Sequence, residues 1–536
     1  MAFTKRAAAV GSLLGIILSF SLSYFSLSLG IVFFPILITS IFSTSLLRSV
    51  LQETTVHEID LAQTIASTAA IVSAASAFVF PAAFLFLPGL GFFSVSLTVL
   101  VSGLLGVVFS FELHERVIAR GRFVFSRGQE ASVALRQGDL HGQRSKLISA
   151  AFFAGAVFSF LRLRFSIPFF VNLGSFGIRS FLSFGVWLST VPFAGGYLSG
   201  PRGAIAWFTG SLVSYYIMVP MMLYSGAYET LSLAVSNGTQ LIGLGALLGC
   251  AVGFFLARAG PAFLFLFRPE ALGSEKKYSF DFFTGYLGRK RVLQALALSF
   301  AFMAVFSGMS VLFAFFAVFL SFFVFYLTCV SCGRDSFDFF DVFPFFFVFL
   351  VVSLFSLSSG LGLVFFASFL AVSSASALAF AHNFRAGHVI GTVPSQQFYA
   401  SALGIFVAAA VSWLLSSSLS SFFAIGSSLL PAPQPVLFHY FFVNGFSDVP
   451  FLIGLFLGAV TTVAAFKMEL GFLTFPFALG LFMPFEVGFM VLLGGLARHF
   501  IDSRNRSVES ARIFVESLAL GEAFVLSLAA ALHFFS

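Results

Sequence analysis

The sequence predicts an all-α protein, a polytopic bundle of about 16 transmembrane helices, and three observations support this fold class. Of the 536 residues, 59% are hydrophobic and only 9% are charged, whereas a soluble domain carries about 25% charged residues. The mean hydropathy is +1.03. Apolar stretches recur at lengths near the roughly 20 residues that a helix needs to cross a bilayer. These observations exclude a soluble globule.

The N-terminal part contains two groups of four apolar stretches. They occupy residues 7–29, 31–51, 60–87, 91–111, 147–171, 177–198, 201–223 and 231–256. The loop between the two groups is basic and contains Arg116, Arg120, Arg122, Arg127, Arg136, Arg144 and Lys146. Such loops face the cytoplasm by the positive-inside rule. Because four spans precede the loop, the N-terminus is also expected in the cytoplasm.

A second basic segment divides the chain into halves. We predict an N-terminal transmembrane half at 1–257, a cytoplasmic basic linker at 258–291 and a C-terminal transmembrane half at 292–536. The predicted spans of the second half are 292–308, 310–330, 343–357, 360–381, 398–415, 450–466, 472–496 and 511–535, with a polar loop at 382–397. Phenylalanine runs such as residues 345–347 are expected to face lipid.

Similarity between the halves indicates an internal duplication. Residues 196–212 resemble residues 480–496 with a slip of one position, so that Gly196 and Gly210 recur as Gly480 and Gly494. Duplicated halves and interrupted helices are a frequent plan in transporters. The sequence therefore predicts two repeated halves with discontinuous or re-entrant helices.

Composition and motifs also exclude several function classes. The net charge of +7 comes from loop residues and is explained by membrane topology, so no nucleic-acid partner is expected. The eight histidines are scattered, and Cys329 and Cys332 lack further ligands near them, so we expect no metal site and no cofactor. Motifs for zinc hydrolysis, phosphate binding and a serine nucleophile are missing. The chain is therefore predicted to be no enzyme, and transport would draw on an ion gradient.

Polar residues in interrupted apolar segments are the candidate solute ligands. Interrupted helices are tolerated at membrane depth where they line a cavity, and prolines leave backbone carbonyls free. An arginine suits a carboxylate because its planar fork donates two hydrogen bonds. The predicted substrate-binding residues are Gln63, Thr64, Ser67, Arg202, Pro431, Pro433 and Gln434. A kinked packing helix, an ordinary loop and an interface anchor at Arg202 are the structural alternatives.

Carboxylates in apolar segments are the candidates for proton coupling. An ionisable group is costly there and is a functional hypothesis by default. The predicted coupling residues are Glu469, Glu486, Glu522 and Asp341. Structural ion pairing is an open alternative for each of them.

Several segments together resemble the oligopeptide transporter (OPT) family, which includes the yellow-stripe carriers of metal chelates. Residues 63–67 are similar to its Q-T-x-A-S segment, residues 196–202 to its G-Y-x-x-G-P-R segment, and residues 384–397 to its L-K-x-G-x-L-V-G-x-x-P-x-x-Q loop. Residues 430–434, 469–471, 473–484 and 521–522 follow in the family's order. The shared order of these short segments, rather than any one of them, carries the resemblance.

The resemblance implies a proton-coupled carrier of about 16 helices that imports short peptides, glutathione-like compounds or metal chelates. Two departures bear on the substrate and the coupling ion. The family often continues with A-G-E-S where this chain has Thr68-Ala69-Ala70-Ile71, and Gly333-Arg334 replaces a family G-E.

The predicted partners are a small polar solute, protons and the lipid bilayer. The protein is expected to be a multi-pass protein of the cell membrane, and its sequence leaves the oligomeric state open. Two other functions stay possible at this point, a membrane-embedded enzyme acting on lipid and a passive channel. The enzyme would need an acidic or metal cluster at one membrane face, for which Asp335, Asp338 and Asp341 come nearest.

Overall fold

The computed structural model describes residues 3–32, 35–50, 54–114, 125–137, 143–176, 182–259, 288–306, 311–335, 343–355, 360–443, 448–504 and 508–536. The helices of the first half are α1 (Lys5–Leu29), α2 (Ile36–Val50), α3 (Val56–Ala77), α4 (Phe80–Phe86), α5 (Phe92–His114), α6 (Ser126–Gln137), α7 (Gln143–Arg164), α8 (Thr190–Leu212), α9 (Val219–Tyr224), α10 (Leu231–Leu233) and α11 (Gln240–Phe254). Short π-helical segments, Val213–Met218, Ala234–Thr239 and Phe255–Ala259, join or follow the last of them. Most of the predicted linker, and Asp341, lie outside the described residues.

The second half is likewise helical. Its helices are α12 (Gly288–Phe306), α13 (Val311–Asp335), α14 (Phe343–Phe355), α15 (Gly360–Ile390), α16 (Pro394–Phe422), α17 (Pro433–Val443), α18 (Val449–Lys467), α19 (Thr474–Phe482), α20 (Phe485–Ser503) and α21 (Val508–Phe535). A 3-10 turn, Gly471–Leu473, precedes α19.

Eleven of the helical segments in the described residues are long and apolar enough to cross a membrane. Ile36–Arg48, Phe343–Leu354 and Gly471–Phe482 are shorter apolar helices. The predicted all-α polytopic architecture is therefore confirmed, while the total of about 16 spans stays a prediction.

Helices α1 and α3 lie side by side and run in the same direction. Gly11 packs on Ala62, and Gly15 packs on Ala69. Further along, Ser73 donates a hydrogen bond of 3.0 Å to Ser19. Small residues allow this close approach of two backbones. The interface between α1 and α3 is therefore made of small and hydroxylated side chains. α15 also packs against α3, and its most apolar part is completely buried.

The local structure differs from the predictions in several places. The predicted span 177–198 is wrong in its described part: β1 (Phe170–Phe176) pairs antiparallel with β2 (Leu182–Trp187), and α8 begins only at Thr190. The two strands provide hydrogen-bond partners for each other's backbone N–H and C=O groups. A single strand in an apolar segment would leave these groups unpaired. Residues 382–390 are helical rather than a loop, because α15 continues to a turn at Gly391 (φ 91°). Residues 345–347 are buried and do not face lipid.

Two interrupted helical segments pack against each other. α8 is broken at Gly200 (φ 77°, ψ 170°), immediately before Pro201. In the second half, α19 and α20 are separated at Met483 and Pro484. Discontinuous helices are thus present in both halves, but at breaks that the sequence analysis did not name. The predicted span 472–496 is divided between α19 and α20.

The contacts between these segments are reciprocal. Gly196 lies against the carbonyl of Val491, and Gly480 lies against the carbonyl of Trp207. When residues 196–212 are aligned with 480–496, Gly196 corresponds to Gly480 and Trp207 corresponds to Val491. The two contacts are therefore equivalent. This agrees with the predicted similarity of the two segments, although the repetition of whole halves stays a prediction.

Candidate functional site

A cluster of polar side chains lies inside the bundle where α3 meets α15. Gln63 Nε2 donates to Asn383 Oδ1 at 2.8 Å, and Ser67 Oγ donates to the same atom at 3.0 Å. Asn383 Nδ2 donates to Thr68 Oγ1 at 3.2 Å. All four side chains are fully buried. We call Gln63, Ser67, Thr68 and Asn383 the central cluster.

The helical repeat of α3 places its members together. Gln63 and Ser67 are four residues apart and therefore lie on one face of the helix, where Gln63 Nε2 also donates to Ser67 Oγ at 3.3 Å. Thr64 differs, because its hydroxyl donates to the backbone carbonyl of Asp60 at 2.8 Å. α3 is continuous through these residues, and its break comes later, at Phe78 and Val79. The cluster therefore offers side chains, not the freed backbone carbonyls that the sequence suggested.

Gln397 connects the central cluster to a buried carboxylate. Its Nε2 donates to Asn383 O and to Asp60 Oδ2, both at 3.0 Å. Gln397 lies in the first turn of α16, just after the turn at Gly391. Its side-chain amide packs directly on Gly387, so a larger residue there would displace this amide. Asp60 and Gln397 are both fully buried.

Three oxygen atoms around the cluster have no hydrogen-bond donor among the described residues. They are Gln63 Oε1, Gln397 Oε1 and Asp60 Oδ1. A buried acceptor without a donor costs about 1–3 kcal/mol, and most buried polar atoms in proteins have a partner. The three acceptors suit a ligand that brings N–H or O–H groups.

The predicted ligands Pro431, Pro433 and Gln434 lie in one segment, which we call the Pro431 segment. It packs against the C-terminal end of α1. Ala432 N donates to Leu27 O at 2.9 Å, and Gln434 Nε2 donates to Gly30 O at 2.6 Å. The ring of Pro433 lies against Gly30. These contacts satisfy carbonyl groups at the C-terminal end of α1, which a helix end otherwise leaves unpaired. Pro431, Pro433 and Gln434 are buried there.

The central cluster and the Pro431 segment lie at different levels of the bundle. Ala66 and Ala69, on either side of Ser67, pack on Gly15, whereas Gln434 binds Gly30. At 1.5 Å per residue, the fifteen residues between these glycines correspond to about 22 Å along α1. The structure therefore does not bring the two predicted groups of solute ligands together.

Buried hydroxyl groups occupy the stretch of α1 between the two levels. Ser19, Ser23 and Ser26 follow one another at intervals of four and three residues, so they share one helix face. Ser19 binds Ser73. The hydroxyls of Ser23 and Ser26 are buried and have no hydrogen-bond partner within the described part of the chain. We call Ser19, Ser23 and Ser26 the hydroxyl face of α1.

Glu522 is the most completely hydrogen-bonded of the predicted coupling residues. Arg162 forms a salt bridge of 2.7 Å with it, and both side chains are buried. Ser189 Oγ donates to Oε1 at 2.9 Å, while the backbone N–H of Thr190 donates to Oε2 at 2.6 Å. Arg162 also lies 3.6 Å from the ring centroid of Phe169. The carboxylate therefore joins α21 to α7 and to the start of α8, which agrees with the alternative of a structural ion pair.

The other predicted residues are dispersed. Arg202 is exposed just after the break in α8. Glu469 is exposed in the turn after α18, with φ 61°, and Glu486 is partly exposed in the first turn of α20. Asp341 lies outside the described residues. Arg202, Glu469 and Glu486 therefore lie outside the central cluster.

Sequence reasoning missed five residues of these sites, among them Thr68 beside Ser67 in the central cluster. Asp60 is three residues before Gln63, on the same helix face. Asn383 and Gln397 lie in the segment expected to be a polar loop. Arg162 is an ionisable residue inside a predicted span, which was a sufficient signal by the rule used for the glutamates.

A metal site finds little support in the described residues. Cys332 Sγ lies 3.1 Å from His382 Nε2 inside the bundle. Within the ranges that the structure describes, no three His, Cys, Asp or Glu side chains come together as metal ligands. The pair by itself lacks the ligand number of a zinc site.

The fold and the enclosed polar groups define a multi-pass integral membrane protein with a hydrophilic interior site. The family model described as OPT oligopeptide transporter protein matches residues 2–262 and 287–532. This match covers nearly the whole chain, and the protein belongs to the OPT oligopeptide transporter family. The resemblance seen in the motifs is thereby confirmed at the level of the family. A comparison with curated proteins found no match.

Proposed function

We propose that the protein is a secondary active transporter that imports short peptides or peptide-like metal chelates together with protons. Family membership supports a transporter of oligopeptide type. The observation that carries the proposal further is the central cluster, with its neighbouring acceptors Gln63 Oε1, Gln397 Oε1 and Asp60 Oδ1. A helix bundle in lipid rarely retains such groups without a function, because they are costly there.

The chemistry of the cluster fits a peptide-like solute. A peptide offers backbone N–H groups and an amino terminus, and each is a donor for an unpaired acceptor oxygen. Ser67 and Thr68 add hydroxyls that donate or accept. Since every one of these side chains is fully buried, the solute enters only when helices move apart, as alternating access requires.

The remaining predicted ligands have separate roles in this proposal. Gln434, with Pro431 and Pro433, receives the solute at the far end of α1, and the hydroxyl face of α1 lies between that segment and the central cluster. Arg202, exposed beside the broken helix α8, binds a carboxylate of the solute at the surface. Thr64 supports the position of Asp60 through its hydrogen bond.

Proton coupling requires a carboxylate that changes its protonation state during the cycle. Glu469, Glu486, Glu522 and Asp341 are the residues proposed from sequence. We further propose that the protein lies in the cell membrane with its N-terminus in the cytoplasm, in agreement with the basic loop after the fourth predicted span.

Uptake into reconstituted vesicles tests this function. A panel of labelled di- to hexapeptides and iron chelates is offered with and without an imposed pH gradient. We expect accumulation above the external concentration of at least one panel member, only when the gradient is present. Equilibration without accumulation would indicate a passive channel instead, and no uptake of any member would contradict the proposal.

A matched pair of variants tests the site. Asn383→Ala removes the residue that binds both Gln63 and Ser67, so we expect loss of most uptake. Ser368→Ala is the control, because Ser368 is buried on the same helix and donates only within it, to Val364 O at 2.7 Å. Equal uptake by the two variants would place the solute site elsewhere.

A further inference from the structure

Asp60 is a buried carboxylate without a cationic partner. It is fully buried on α3. Gln397 donates to Oδ2 at 3.0 Å, and the hydroxyl of Thr392 also lies beside the carboxylate. Both groups are neutral, so neither supplies a positive charge. The ion pairs found in the described residues involve other acidic groups. An unpaired charge in a protein interior is unfavourable, so Asp60 needs a proton or another cation.

The neighbouring elements do not provide that cation. The charged or titratable side chains on α3 and on the described elements packed against it are His57, Glu58, Lys5, Arg6, Tyr24, Arg48, Glu112, Arg127, Glu130, Arg136, His382, Arg385, His388 and Tyr399. No Lys, Arg or His side chain among the described residues lies within 4.0 Å of the Asp60 carboxylate. The nearest of them in sequence, His57, contacts Thr392 through Nδ1 at 3.2 Å.

We propose that Asp60 carries the coupled proton of the transport cycle. This inference rests on the proposed function and adds to it a residue that the sequence did not single out. The proton comes from water on one side of the membrane, binds a carboxylate oxygen of Asp60 and leaves to water on the other side. No other bond is formed or broken.

The contacts of Gln397 link this proton to the solute. Gln397 Nε2 bonds both to Asp60 and to the backbone carbonyl of Asn383, whose side chain is the centre of the cluster. An ionised Asp60 accepts a strong, charge-assisted bond from Gln397. A protonated Asp60 loses that charge and becomes a donor itself, and the unpaired Gln397 Oε1 is an acceptor for it. Protonation therefore alters the contact between α3 and the first turn of α16.

Asp60 fits this role better than the glutamates do. Both oxygens of Glu522 already accept hydrogen bonds, including one from Arg162. Glu469 is exposed and Glu486 is partly exposed, and neither contacts the central cluster. Asp60 alone among these carboxylates is joined through one side chain to the proposed solute ligands.

Vesicles with an imposed pH gradient of two units test the inference, with valinomycin and equal potassium holding the membrane potential at zero. The probe is tritiated trialanine, or whichever panel member the wild type accumulates. One proton per neutral solute permits accumulation of about 100-fold, since each pH unit is a factor of ten. We expect Asp60→Asn to abolish accumulation while exchange of internal for external label continues.

Two control variants make the result specific. Glu58→Gln changes a buried carboxylate two residues away that accepts a bond from Thr4 Oγ1, and it should accumulate the probe as the wild type does. Asp60→Glu keeps the carboxylate and should retain part of the accumulation. Normal accumulation by Asp60→Asn would overturn the proposal. Loss of exchange together with accumulation would also overturn it, because Asp60 would then bind the solute.

The failure of the proposed function is distinguishable, because the wild type then accumulates no panel member. If Asp60→Asn does not fold, labelling of the wild type with dicyclohexylcarbodiimide during turnover replaces it. This reagent modifies protonated carboxyl groups in apolar surroundings. Label on the peptide containing Asp60, lost at alkaline pH, supports the proposal. Label on other carboxylates without Asp60 contradicts it.

Discussion

Replacement of Glu522 by glutamine should destabilise the protein strongly. The carboxylate accepts bonds from Arg162, from Ser189 and from both the amide and the hydroxyl of Thr190. Glutamine keeps one acceptor oxygen but turns the other position into a donor. That donor would face the Thr190 N–H and hydroxyl, and Arg162 would lose its counter-charge.

The magnitude follows from burial. The side chains of Arg162 and Glu522 are 1% and 0% exposed, so water does not replace the lost partner. Removal of one member of a buried ion pair costs about 3–5 kcal/mol. The exposed pair of Arg144 and Glu509, at 30% and 49% exposure, provides the contrast, since exposed pairs contribute about 0–1 kcal/mol.

Unfolding by sodium dodecyl sulfate in mixed micelles, followed by circular dichroism, measures both effects. We expect Glu522→Gln to lower the free energy of unfolding by about 3–5 kcal/mol and Glu509→Gln to lower it by less than about 1 kcal/mol. The double variant Arg162→Met, Glu522→Leu should recover part of the loss, because it leaves no unpaired charge. Equal stability of the two single variants would refute the reasoning.

Two further predictions concern packing and the hydroxyl face. Gly480→Ala should destabilise by at least about 1–3 kcal/mol, because Gly480 lies against the carbonyl of Trp207; Gly89→Ala, where no atom lies within 4 Å, is the control in the same unfolding assay. Ser23→Ala and Ser26→Ala should change stability by less than about 0.5 kcal/mol, because neither hydroxyl has a partner among the described residues to lose. Both serine variants should nevertheless slow uptake of the panel solute, since they remove hydroxyls from the proposed path.

Each of these has a clear contrary result. A stable Gly480→Ala variant would mean that the two interrupted segments do not approach as closely as the structure has them. Serine variants that lose stability but keep full transport would indicate that the hydroxyl face is structural. Unchanged stability with unchanged transport would remove it from the path.

The sequence alone was sufficient for the class of fold and for the family. A helix crosses a membrane because of the length and polarity of its own segment, so the predicted spans correspond to helices over most of the described chain. The boundary between the predicted spans 177–198 and 201–223 falls at Gly200, where α8 is broken, because glycine and proline act locally on the backbone. Gln63 and Ser67 were recognised as polar residues in an apolar segment.

Only the tertiary structure decided which polar groups meet. Asn383 joins Gln63 across 320 residues of sequence, and Arg162 meets Glu522 across 360. Gln434 instead lies at the other end of α1, next to Gly30. Local composition carries no information on such pairings, because they depend on which helix faces pack together. The hydrophobic pattern placed Gln63, Arg162 and Glu522 in apolar spans but Asn383 in a polar loop. Helix packing determined the partners of all four.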